Sequence, residues 1–194
     1  MTSNCYLVVD EESKHCICID PASEKSEREI DYIEKNKLVL DYILLTHEHT
    51  DHTWGVNALV AHFSNVKVIC SEVCKQNLAK EFQAYFLFYY DNPNYSYTVC
   101  KIDNTIEELG GVLKWGNNDI IFFPTPGHSM GSVSISLNGM LFTGDAIMQT
   151  KPYINKRNGS KDLFYESVKN VVNTFSPETI VYPGHGESFV LKKM

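Results

Sequence analysis

The chain has 194 residues, 43% hydrophobic and 21% charged, with 11 Gly and 7 Pro, an ordinary globular composition. That is enough chain for one substantial core and little for two, so a single domain over residues 1–194 is expected. A formal net charge of −7 argues against a nucleic-acid partner, which needs a basic face. The opening Met1-Thr2-Ser3-Asn4 leads into no basic-then-apolar leader, and no later apolar run approaches a membrane span. A cytoplasmic protein with no membrane partner is therefore expected.

In chain order, Cys5–Val9 and Cys16–Ile19 read as two strands of a hairpin, closed by the polar Asp10–Lys14 turn and ended by Asp20-Pro21. A helix is predicted from about Ser26 to Lys35, with Ser26-x-x-Glu29 as a capping box. Leu38, Val39, Leu40, Tyr42, Ile43, Leu44 and Leu45 form a nearly continuous apolar run, the pattern of a strand buried on both faces. The run ends in Thr46-His47-Glu48-His49-Thr50-Asp51-His52, then an amphipathic helix is predicted from Trp54 to Phe63. Val66–Cys70 reads as a strand and Ser71 to about Phe86 as a helix opened by Ser71.

Phe82–Tyr97 is crowded with aromatic residues; a lid, pocket wall or dimer face competes with the simpler reading of a helix end and loop packed on the core. From Gly110 onward the pattern turns to strands: Val112–Trp115, Ile120–Phe123, Val133–Leu137 and Met140–Thr143, with Asn138-Gly139 as a hairpin turn. A last helix near Asp162–Phe175 and a strand at Thr179–Tyr182 complete the pattern. The six cysteines (Cys5, Cys16, Cys18, Cys70, Cys74, Cys100) read as free, buried thiols, because no zinc-ribbon spacing accompanies them.

Four apolar strands each deliver a histidine or aspartate on the turn that follows: Leu45 into His47 and His49, Phe123 into His128, Thr143 into Asp145, and Tyr182 into His185. His47 and His49, two residues apart, project to one side of an extended strand tip but diverge on a helix. The zincin pattern H-E-x-x-H fails, since Asp51 stands four residues after His47. Glycines beside the later ligands allow the backbone to bend tightly around a crowded site. Such matched positions point to metal binding by His47, His49, Asp51, His52, His128, Asp145 and His185, whereas His15 and His62 read as ordinary polar histidines. A rival motif, Gly127-His128-Ser129-Met130-Gly131, fits the nucleophile elbow G-x-S-x-G. It lacks the helix that must follow the serine, because Val133–Leu137 alternates like a strand.

These residues, with Thr125-Pro126-Gly127-His128, Phe142-Thr143-Gly144-Asp145 and Tyr182-Pro183-Gly184-His185-Gly186, resemble the metallo-β-lactamase superfamily, in its hydroxyacylglutathione hydrolase (glyoxalase II)-like branch. Asn4-Cys5-Tyr6-Leu7-Val8 and Ile19-Asp20-Pro21 extend the match over nearly the whole chain. The resemblance implies an α/β fold, an αββα sandwich of two mixed β-sheets flanked by helices, without the C-terminal helical domain of glyoxalase II. It implies two divalent metal ions, one on His47, His49 and His128 and one on Asp51, His52 and His185, with Asp145 bridging. Nitrogen and oxygen ligands suit zinc, and also iron or manganese.

A water between two such ions ionises near neutral pH and attacks the substrate, with Asp51 as the catalytic residue that orients it. The implied function is hydrolysis of a small thioester, ester or lactone as the small-molecule substrate; a mononuclear iron persulfide dioxygenase of the same fold is the alternative. A nuclease of this fold is disfavoured by the acidic charge, and β-lactam hydrolysis by an intact ligand set. Lys151, Lys156 and Arg157 read as loop charges, or as a hold for an anionic substrate tail.

Overall fold

The computed structural model describes residues 3–79, 97–154 and 158–191. Its first sheet orders strands β1 (Tyr6–Asp10), β2 (His15–Ile19), β3 (Val39–Leu44), β4 (Lys67–Cys70) and β5 (Asn104–Thr105). The β1–β2 hairpin is antiparallel, and β2 through β5 pair in parallel. Helices α1 (Glu27–Lys35), α2 (Thr50–Thr53), α3 (Val56–His62) and α4 (Glu72–Leu78) fall between these strands. The second sheet orders β11 (Phe189–Val190), β10 (Ile180–Pro183), β9 (Met140–Gly144), β8 (Val133–Leu137), β7 (Asn118–Pro124) and β6 (Val112–Trp115). It is antiparallel except at β9–β10, which are parallel across helix α5 (Lys161–Thr174).

The side-chain alternation of β2 shows why the molecule has four layers. Ile17 and Ile19 face the second sheet, packing with Leu44, Ile69, Ile120, Ile135 and Phe142, while Cys16 and Cys18 face outward into Ile33, Val56, Leu59 and Cys74 of the helices. A third cluster places Phe164, Val168, Val171 and Val172 of α5 against Leu141 and Val181. Helix, sheet, sheet, helix is the expected αββα sandwich, and both sheets are mixed. Among the described residues no helix is long and apolar enough to cross a membrane.

Several local expectations need correction. The capping box does not form: Ser26 is left-handed (φ 46°), makes no side-chain cap, and its hydroxyl donates instead to the carbonyls of Ser23 and Gly55. The helix expected at Trp54–Phe63 starts earlier, so Asp51 and His52 lie on α2 rather than on a turn, and Trp54 and Gly55 separate it from α3. Gly55 sits against the Pro21–Ser26 backbone, donating its N–H to Pro21 O at 2.8 Å, with no room for a side chain. β3 is not buried along its whole length: Val39 is exposed where the strand begins. Cys100 is exposed and Cys5 half-buried, so only Cys16, Cys18, Cys70 and Cys74 are the buried thiols expected; all six are free.

Ser71 does cap α4, accepting from the Cys74 N–H at 3.1 Å, and Asn138-Gly139 turns with positive φ at both residues. α4 ends at Leu78 with Ala79 as its C-cap, and residues 80–86 of the predicted Ser71–Phe86 helix, with Phe82–Tyr97 apart from Tyr97, lie outside the described residues. The short strands β5 and β11, which close the two sheets, carry too few residues to show a period of two in the sequence.

Gly127 shows how closely the layers approach. Its φ is +141°, and an added Cβ would overlap the backbone of Phe164 on α5. Gly127→Ala is expected to cost about 3 kcal/mol, from strain and overpacking together. A urea melt with an unchanged midpoint would contradict this packing.

Candidate metal centre

The centre is built where strands of both sheets end. Asp20 follows β2 in a left-handed conformation (φ 53°) that aspartate tolerates better than most residues. Its Oδ1 accepts the Thr46 N–H at 2.8 Å, and its Oδ2 accepts the Thr46 hydroxyl at 2.6 Å. This pins the chain just beyond β3, so that His47 and His49 leave the tip together; His49 is extended (φ −65°, ψ 143°) and α2 then carries Asp51 and His52. From the second sheet, β7 runs through Gly127 to His128, β9 ends at Gly144 (φ +48°) before Asp145, and β10 ends at Pro183 before Gly184 and His185.

All seven predicted side chains meet. Donor atoms of His47, His49 and His128 lie within 4.8 Å of one another, as do those of His47, His52 and Asp145 and those of Asp51, His52 and His185. Asp145 stands between the groups: Oδ1 is 3.4 Å from His52 Nε2, while Oδ2 is 3.4 Å from His128 Nε2 and 3.6 Å from His185 Nε2. Asp51 Oδ2 is 3.3 Å from His185 Nε2 and 4.0 Å from His52 Nε2. His49 Nδ1 and His128 Nε2 are 2.9 Å apart. His15 and His62 stand apart from this cluster and pair with Asp41 and Glu34, as expected of ordinary polar histidines.

Burial and neighbouring charges compete over the charge states at the site. Burial holds His47 well below the usual imidazole pKa, reinforced by His52 and His49. It lowers His49 to about 3, helped by His128 and His52, and it lowers His128. Burial opposes a charge on His52 too, but Asp20 and then Asp145 outweigh it and raise that pKa well above the usual value. Burial disfavours the Asp145 and Asp51 carboxylates, yet His52 brings Asp145 down, and His185 with His52 brings Asp51 down.

These residues fit a metal. His47 Nε2 is buried and has no hydrogen-bond partner among the described residues, a costly arrangement unless a cation receives its lone pair. Donors held about 2.1 Å from a common ion lie roughly 3.4 Å apart, the separation that recurs between Asp145 and its histidines. Asp20 completes a carboxylate–histidine pair, its Oδ2 2.8 Å from His52 Nδ1, which leaves Nε2 turned toward the centre.

Sequence reasoning left Asp20 as a strand end; its signal was that it directly follows a strand, as Asp145 does. It also left Glu48 without a role. That carboxyl is buried, accepting the Ser129 hydroxyl at 2.8 Å and the Asn77 amide at 2.7 Å, and so ties the His47–His49 stretch to the His128 loop. The same bond disposes of the nucleophile elbow, since Ser129 is fully buried and followed by a strand. Lys151 stands 6.0 Å from the Tyr165 ring centroid, whereas Lys156 and Arg157 lie outside the described residues.

Five histidines and two aspartates thus gather at one edge of a four-layer sandwich, a donor set that could hold metal ions. The sequence profile of the metallo-beta-lactamase superfamily matches residues 1–185, and the chain belongs to that superfamily. It is similar to the hydroxyacylglutathione hydrolase of Buchnera aphidicola subsp. Schizaphis graminum, 29% identical over 185 residues, which cover 95% of this chain and 63% of that protein. It is also similar to persulfide dioxygenase ETHE1, mitochondrial, of Bos taurus, 26% identical over 183 residues, 93% of this chain and 62% of that one. The chain thus spans about three-fifths of the length of these curated relatives. Among solved structures, BLEG-1 B3 metallo-beta-lactamase superposes with a TM-score of 0.84 at 28% identity, covering 97% of this chain and 89% of that one.

Two outcomes follow from the charges and contacts. Unfolded imidazoles protonate near pH 6.5, whereas burial holds His47 well below that value, His49 at about 3 and His128 lower than usual, so the unfolded chain binds more protons below that pH. His52, whose pKa is raised in the fold, works in the opposite sense only near pH 6.5, where the unfolded imidazole is still part-neutral, and the aspartates act only at lower pH. Chelator-treated protein is therefore expected to lose stability between about pH 6.5 and 5, by at most about 1.4 kcal/mol per pH unit for each residue. Urea midpoints that stay level or rise across that range would refute the assignment. Gly184 is the second test: an added Cβ would overlap Asp145 Oδ1 and lie 2.6 Å from His52 Cε1. Gly184→Ala is expected to weaken metal uptake about tenfold or more in a competition titration.

Proposed function

We propose that this chain carries the catalytic centre of a metal-dependent hydrolase acting on a small thioester, ester or lactone. In this reading His47, His49 and His128 hold one divalent cation, Asp51, His52 and His185 hold a second, and Asp145 is shared. The observation that carries it is the meeting of seven donors from four strand ends, with the two Asp145 oxygens turned toward different histidines. Zinc suits such nitrogen and oxygen donors, and a pair of zinc ions would lower the pKa of a water between them and polarise the scissile carbonyl.

The protein's own groups supply the rest. Asp51 is ionised at neutral pH because His185 and His52 hold its pKa down; its Oδ2 faces His185, and the carboxylate would both help hold the cation and orient the attacking water. His47, His49, His52 and His128 are buried, which excludes bulk water on that side, while His185 is 28% exposed and marks the side open to substrate. Met130, two residues beyond His128, is exposed and offers apolar surface for an acyl group. The hydroxyacylglutathione hydrolase relative acts, by its name, on such a substrate.

A second reading has its own support. His47, His52 and Asp145 supply two imidazoles and one carboxylate, the donor set of mononuclear iron oxygenases, and a persulfide dioxygenase is among the relatives.

Metal analysis followed by a substrate panel separates the two. The zinc-loaded protein is expected to hold two ions per chain and to hydrolyse an acyl-glutathione thioester or a lactone. A β-lactam belongs in the panel because of the similarity to BLEG-1. One iron per chain with oxygen uptake on glutathione persulfide, and no hydrolysis by the zinc form, would replace the first reading with the second. Asp51→Asn is expected to lower kcat about 100-fold or more, and full activity in that variant would remove Asp51 from the mechanism.

A further inference from the structure

Residues Ser3–Tyr6 span two parts of the centre that are remote in sequence. The Ser3 hydroxyl donates to the backbone carbonyl of Asp51 at 2.5 Å. The Asn4 N–H donates to Gly184 O at 2.6 Å, and its side-chain amide reaches Gly186 O at 2.7 Å and Pro183 O at 3.0 Å. That amide is also 3.0 Å from the Tyr6 hydroxyl, which donates to Pro183 O at 2.7 Å. One short segment therefore touches α2 at Asp51 and nearly encircles the loop that carries His185. None of these bonds ends on Thr46–His49 or on the His128 loop.

The His185 loop needs outside support. Gly184 and Gly186 flank the histidine and have no side chains to pack, and Gly186 is left-handed (φ 85°). Glycine loses more conformational freedom on ordering than any other residue. Within the second sheet the loop is tied by the Gly184 N–H to Gly144 O at 2.7 Å. His185 is also the most exposed of the histidine donors, so packing does least to hold it.

We propose that Asn4 is a positioning residue for the Asp51–His52–His185 group. With Ser3 and Tyr6 it straps the His185 loop to α2 and so sets the affinity of the second cation while leaving the first untouched. This rests on the two-cation reading above. The strap acts before any ion binds, by restricting where the His185 ring can go, and a donor already in place gives up less freedom on coordination.

The test is a metal titration of chelator-treated wild type, Asn4→Ala and Tyr6→Phe, paired with amide hydrogen exchange of residues 184–186 in the same metal-free samples. Tyr6→Phe removes only the hydroxyl and keeps the ring packed on Phe142 and Tyr182, so it serves even if Asn4→Ala fails to fold. Wild type is expected to take two zinc ions. Asn4→Ala is expected to bind the first as wild type does and the second about tenfold or more weakly. Tyr6→Phe is expected to shift in the same direction by less, with faster exchange at 184–186 in both. Two wild-type affinities in both variants, or an equal loss at both sites, would overturn the proposal. A wild type that binds one ion overturns the two-cation reading instead. The strap is then decided by exchange alone, where unchanged protection in the variants refutes it.

Discussion

Two sheets pressed face to face must end at one edge for this centre to exist. The apolar layer of Ile17, Ile19, Leu44 and Ile69 against Ile120, Ile135 and Phe142 fixes how the sheets lie on each other. The separation of the His47 and His185 loops starts from that packing, and the hydrogen bonds of Ser3–Tyr6 add to it. The alternation of β2 serves both sides at once, since its other face carries the helical layer that holds the Pro21–Gly55 crossing and, through it, the start of α3. Site geometry here is a result of core packing, and the loops only translate it.

Within the site, electrostatics and burial oppose each other. Taking imidazoles out of water favours their neutral form, which is the form that binds metal, and His47, His49 and His128 follow that rule. His52 is the exception, because Asp20 and Asp145 lie on its two nitrogens. Those two carboxylates raise its pKa, so a proton and a cation would compete for the same nitrogen. The two halves of the site differ in this respect as well as in their exposure.

The candidate metal residues could be read from sequence because each group follows an apolar run within a few residues, and the change from Val, Ile, Leu and Phe to His or Asp is abrupt. Both sheets and most of their strands were legible for the same reason: Val133–Leu137 and Met140–Gly144 alternate or run apolar for long enough to declare a period. The strands β5 and β11 were not, being two residues each. Nor was the failure of Ser26 to cap α1, which depends on Gly55 passing close by, a contact between residues far apart in the chain. Asp20, Glu48 and Asn4 were hidden in the same way. A carboxylate or amide that orients a ligand has no spacing of its own, and its partner is set by the tertiary fold.

The division of donors between the sheets has one more consequence. His47, His49, Asp51 and His52 come from the half of the chain that builds the first sheet, and His128, Asp145 and His185 from the half that builds the second. A backbone nick between the halves would leave each fragment with an incomplete chelating set, so ion capture would report their reassembly. An ion held as proposed would span the two layers and resist their sliding apart.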